Sequence, residues 1–208
     1  MQMQTLPNTT IDVFVDSLVM ALENIVHKEQ THTSPEVTRF HAPRIPNISV
    51  RKYVERIVNY APCTVECFVV ALVYLDRLQR SQGYLFINPA TVHRIFITSV
   101  LLAAKYCDDI YFNNKYYARV GGISCQEMNS LELEFLFRCK FDCNVSAEEF
   151  NTFSHVLYEP TVQNIPRLTF ETFQAFSVSP HTHSFLYPAC GSMNDNRSRS
   201  NRRVGITY

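Results

Sequence analysis

The run at residues 95 to 104, Ile-Phe-Ile-Thr-Ser-Val-Leu-Leu-Ala-Ala, restricts this chain more than any other stretch. It carries no charge and is apolar or small nearly all the way round a helical turn. A helix of that kind finds no water-facing side and has to be wrapped by other helices. Period-2 alternation is absent, and five glycines in 208 residues are few for a many-turned β architecture or a Gly-rich phosphate loop. The expected fold class is all-α, with this helix at the centre of a bundle.

The segments that would wrap it are legible from caps and periodicity. Residues 10 to 29 place Phe14, Leu18, Val19, Leu22, Ile25 and Val26 at helical spacing, with Asp12, Asp16 and Glu23 between them. Residues 31 to 47 hold three prolines, at 35, 43 and 46, and read as an ordered connector. Ser49 is a good N-cap, with Ile48 and Tyr53 placed as a hydrophobic staple, and the helix it opens stops at Ala61-Pro62. Thr64 is expected to cap the next helix, to about Gln79, and Asn88-Pro89 to start the central one. Asn113 or Asn114 opens a short helix ended by Gly121-Gly122. Two capping boxes, Ser124 with Glu127 and Ser146 with Glu149, start the last two. The expected organisation is an N-terminal helix and connector over 1–35, a five-helix bundle with a following helix over 36–158, and a C-terminal extension over 159–208. In that extension Phe170, Phe173 and Phe176 could dock a short helix, and residues 194 to 203 are polar, basic and expected to be disordered.

Composition narrows the function. Lys plus Arg and Asp plus Glu both total 19, so no net field exists to hold a polyanion, and nucleic acid is not an expected partner. Seven cysteines are an odd number and lie mostly in apolar segments, which suits a reduced, intracellular setting in cytoplasm or nucleus. The first residues lack the pattern of a signal peptide, so the Asn-x-Ser/Thr sequons at Asn8, Asn47, Asn144 and Asn196 are read as chance. The longest apolar run, residues 67 to 75, is too short to span a bilayer, and no membrane association is expected.

No dinucleotide, P-loop, zinc-protease, serine-hydrolase or kinase motif is present, and no catalytic residue, cofactor or small-molecule substrate is expected. Cys63 and Cys67, and Cys139 and Cys143, are spaced i, i+4 without a CxxC knuckle or a matching His, which favours core cysteine over a metal site. His93 reads as a surface or boundary residue. The exceptional charge is Lys105, directly after the apolar run, with Glu132 on a later helix or the nearby Asp109 as its candidate partner. An ammonium there is costly unless it reaches the surface or a counter-ion. A stabilising ion pair and a binding role both fit the residues.

The segments Phe68-Val-Val-Ala-Leu-Val-Tyr-Leu-Asp-Arg77, Thr91-Val-His-Arg-Ile-Phe-Ile-Thr-Ser-Val-Leu-Leu-Ala-Ala-Lys-Tyr-Cys-Asp-Asp109, Asn113-Asn-Lys-Tyr-Tyr-Ala-Arg-Val-Gly-Gly-Ile-Ser124 and Glu127-Met-Asn-Ser-Leu-Glu-Leu-Glu-Phe-Leu-Phe137 resemble the cyclin box of the P/U-type, phosphate-pathway-like cyclins, over residues 36 to 158. The resemblance implies a single-box regulatory subunit that binds and activates a cyclin-dependent protein kinase. It also implies that Lys105 and Glu132 contact the kinase near its C-helix, with Leu102, Tyr106, Leu136 and Phe141 around them. Phe14 and Leu18 on the first helix either add to that contact or cover the box. Where mitotic-type cyclins keep an apolar groove for Arg-x-Leu substrates, this chain has Lys52 and Arg56, which are either a solvated face or a docking site for acidic segments. A kinase scaffold that does not activate, and a cyclin-fold transcription factor, are the alternatives.

Overall fold

A computed structural model of the chain describes residues 8–29, 37–81 and 87–158. Among the described residues there are seven helices and no strand: α1 (Asn8–Glu29), α2 (Val50–Tyr60), α3 (Val65–Ser81), α4 (Val92–Cys107), α5 (Asn114–Gly121), α6 (Cys125–Arg138) and α7 (Ala147–Tyr158). The expected short helix around Phe173 and the basic stretch after it lie outside the described residues.

The central element is α4. Every residue from 95 to 104 is buried, and α2, α3, α5 and α6 all pack on this helix. Its approach to α5 depends on Gly121, where an added Cβ would stand 2.9 Å from Ile97 Cγ1 and 3.3 Å from the Tyr53 hydroxyl. That hydroxyl donates to the Gly121 carbonyl at 3.1 Å, tying α2 to the same place. Gly122 then ends α5 at φ 74°, a left-handed conformation that suits glycine.

Phe14, Leu18, Leu22 and Ile25 make α1 a lid on this bundle, packed on α2 and α7, with the Phe14 ring edge-on to Phe68 of α3 at 5.8 Å. The connector is pinned as well. Phe40 is fully buried against Phe135 at 6.1 Å, Ala42 N donates to the Ala90 carbonyl at 2.9 Å, and Arg39 N donates to Glu134 at 3.2 Å. Arg77 of α3 fastens the other end, bonding the Asp142 and Asn144 carbonyls and both carboxylate oxygens of Glu149 on α7.

Several local expectations are corrected. Asn88-Pro89 makes a turn in which Asn88 Oδ1 accepts from Ala90 N at 2.9 Å, and regular helix begins only at Val92. The Thr64 hydroxyl donates to Asp108 at 2.9 Å, a bond across to the end of α4. Glu127 accepts from Arg94 Nε at 2.7 Å rather than returning to its cap, although Ser124 Oγ does accept from Glu127 N. The second box is reciprocal: Ser146 N donates to Glu149, and Glu149 N to Ser146 Oγ. His93 is buried, not on the surface or at its boundary, and its Nε2–H donates to the Ile48 carbonyl at 3.0 Å. No described helix is long and apolar enough to cross a membrane.

Candidate functional site: the face at the end of the central helix

Lys105 stands in the last turn of α4, where the carbonyl end of the helix favours a cation. Its Nζ lies 2.6 Å from Glu132 Oε1 on α6. Glu132 Oε2 accepts from Asn114 Nδ2, also at 2.6 Å, and Asn114 donates to Asn129 Oδ1 at 2.8 Å. Asn113 caps α5 by accepting from Tyr116 N at 3.1 Å, which leaves the next side chain, Asn114, turned to α6. Three helices therefore meet at one polar cluster. The side chains are half-buried, 29% exposed for Lys105 and 15% for Glu132, so the pair is held in place and still reaches the surface.

Apolar side chains flank it. Glu132 and Leu136 share one stripe of α6, and Leu136 packs partly into the core. On the adjoining stripe Leu133 and Phe137 are 52% and 63% exposed, off the buried line of Met128, Leu131 and Phe135. Phe141 is 54% exposed and meets Phe137 edge-on at 5.1 Å. Its backbone, like that of Lys140 before it, is left-handed, at φ 59° and 53°. Two consecutive residues with Cβ atoms in that region cost on the order of 1–2 kcal/mol each, strain of the kind that collects where a side chain must be presented. The bond from Phe141 N to the Leu136 carbonyl, 2.8 Å, holds the turn. Tyr106 leans the other way, its hydroxyl donating to Asn144 Oδ1 at 3.2 Å.

Three of the residues expected at this face have no surface to offer. Leu102 is buried beneath it, and Phe14 and Leu18 are buried on the inner side of α1, which packs on α2 and α7. Leu133, Phe137 and Asn114 were not among the sequence candidates. An apolar residue off the buried stripe was the available signal for the first two; only the fold brings Asn114 to Glu132. On α2 Lys52 is exposed, and Arg56 donates to the Arg119 carbonyl at 3.1 Å, satisfying the end of α5.

Comparison with known proteins decides what this arrangement belongs to. The family model described as Cyclin matches residues 8–143. The chain belongs to the cyclin family. Its relatives place it with the P/U-type cyclins. It is similar to Cyclin-U4-1 of Arabidopsis thaliana, 48% identical over 152 residues, covering 72% of this chain and 75% of the relative. Cyclin-P3-1 of Oryza sativa subsp. japonica is 40% identical over 149 residues, 72% of this chain and 62% of the relative. PHO85 cyclin-7 of Saccharomyces cerevisiae is 38% identical over 134 residues, 59% of this chain and 47% of the relative. The family match begins at the first residue of α1, so the lid helix is part of the matched region.

Proposed function

We propose that this cyclin works through the face built on Lys105 and Glu132, which docks on its kinase and holds it in the active arrangement. Cyclins are regulatory partners of cyclin-dependent kinases and not themselves enzymes, and that is the function of this chain. The observation that carries the site is the half-buried Lys105–Glu132–Asn114 cluster bordered by the exposed Leu133, Phe137 and Phe141. Its ammonium and carboxylate are preorganised, so little side-chain freedom is lost on docking. The apolar border supplies area from which water is expelled.

The kinase partner contributes its C-helix. Binding the inward position of that helix more tightly than the outward one shifts the kinase toward the state in which its own Lys–Glu pair forms. The ratio of the two affinities sets how far activity rises. The setting is intracellular, with neither membrane nor nucleic acid involved.

The test replaces both Lys105 and Glu132 with Ala. Each charge-assisted contact is worth roughly 1.5–3 kcal/mol, so the double variant should bind the kinase about a hundredfold or more less tightly. Its helical content should be retained, because a partly exposed pair contributes at most about 1 kcal/mol to folding. Unchanged affinity in the folded variant rejects this face. Kinase bound at full affinity without a rise in activity rejects activation and leaves a scaffold.

A further inference from the structure

The start of α3 and the end of α4 lie side by side, clamped by Thr64, whose N–H and hydroxyl both donate to Asp108. Three thiols meet there. Cys67 is fully buried, Cys63 is buried in the turn before α3, and Cys107 is exposed at the last residue of α4. The Cys67 sulfur lies within hydrogen-bonding reach of the Cys107 and Cys63 thiols, and 3.4 Å from the Thr64 hydroxyl, which donates on to Asp108, the residue after Cys107. The Tyr117 hydroxyl, buried without a hydrogen-bond partner among the described residues, lies within electrostatic reach of Cys63, Cys67 and Asp108. Nothing in the kinase-docking role uses this group.

The environment also sorts the three thiols. Of the three thiols, the neighbouring Cys107 and then Cys63 favour the charged form at Cys67, and outweigh its burial. Cys107 is raised by its bond to Cys67 and by burial. Among the described residues no three His, Cys, Asp or Glu side chains are arranged to hold a metal ion.

We propose that Cys107 and Cys67 are a peroxide-oxidised dithiol, whose disulfide ties the start of α3 to the end of α4 beside the Lys105 face. The Cys107 sulfur attacks hydrogen peroxide and breaks the O–O bond; it becomes a sulfenic acid, and the displaced hydroxide leaves as water with the thiol proton. The Cys67 thiolate then attacks the Cys107 sulfur and displaces its hydroxyl as hydroxide, which solvent protonates to a second water. The two thiols lose two electrons and the peroxide gains them. Cys107 supplies access and Cys67 resolves the sulfenic acid before it can oxidise further.

The oxidation is read on the full-length chain alone, so its result does not depend on the kinase-binding reading. Reduced protein, freed of reductant, is treated with hydrogen peroxide; thiols are titrated in denaturant and disulfides mapped by mass spectrometry. The expected result is the loss of two thiols per chain with a Cys67–Cys107 bond, reversed by dithiothreitol. Cys107→Ser, an exposed change, should abolish that loss. Cys67→Ala should leave Cys107 as a sulfenic acid that dimedone traps. Thiol loss that maps elsewhere, a Cys63–Cys107 bond in the unmutated chain, equal oxidation of Cys107→Ser, or stoichiometric zinc on the purified protein would overturn the proposal.

Discussion

Arg56 and Lys52 sit one turn apart on α2, yet their circumstances differ. The Arg56 guanidinium serves the carbonyl end of α5, near Gly122, while Lys52 is exposed with only its backbone N–H engaged by the Ser49 cap. Arg56→Ala should therefore lower stability by about 1 kcal/mol or less, since the bond is largely solvated, and Lys52→Ala should leave the melting temperature unchanged. Both are cations where an Arg-x-Leu peptide would need an apolar seat, so such a peptide should compete for substrate no better than a scrambled one. Specific inhibition by it would refute this. Lys105 illustrates what residue-by-residue reading delivers. Its cost after ten uncharged residues was plain, and Glu132 and Asp109 were both in view as counter-ions, but the choice of Glu132 and the part of Asn114 were hidden because they depend on where α5 and α6 land. The same holds for Glu127, whose nearest sequence partner was Ser124 and whose actual partner is Arg94 on α4.

Among the elements, α7 has a charged attachment to the bundle. It is attached to α3 through Arg77 and Glu149, whose nitrogen and oxygen are 2.8 Å apart. Burial pushes the Glu149 carboxyl up, but bonds from Arg77 and Ser146 outweigh it and hold the group below its ordinary value. A carboxyl with a depressed folded-state value binds protons more readily when unfolded, so its contribution is complete above the usual carboxylate range, about 4.3. It is lost as pH falls through the folded value. Amide exchange in α7 should accelerate on acidification below about pH 4 while α4 stays protected. Glu149→Gln should show fast α7 exchange already at neutral pH, and exchange in α7 that is indifferent to both would contradict the assignment. Helix identities were legible from periodicity and caps, as Ser49, Asn113 and Ser146 show. The start of α4 was not: Asn88-Pro89 has the right residues for a cap, yet the Asn88 side chain closes its own turn and delays the helix to Val92.

For the molecule as a whole, α1 closes the core. Leu18 and Leu22 are fully buried, and Phe14 reaches α3. Leu18→Ala should cost roughly 2–5 kcal/mol, a large part of a domain's usual margin, and lower the melting temperature while kinase affinity of the folded protein holds. A loss of affinity without loss of stability would instead make α1 a contact element. The sequence left that choice open because an amphipathic helix announces an apolar face but not what covers it.

The helix that forms the axis of the core carries in its last turn Lys105, the residue proposed to meet the kinase. A genetic search for heat-sensitive alleles should accordingly return changes at residues 95 to 104, all buried, in which every contact residue is intact and the phenotype is still loss of kinase regulation. Across a lineage, exposed positions can change more readily than this run, which the core and the proposed kinase face both constrain.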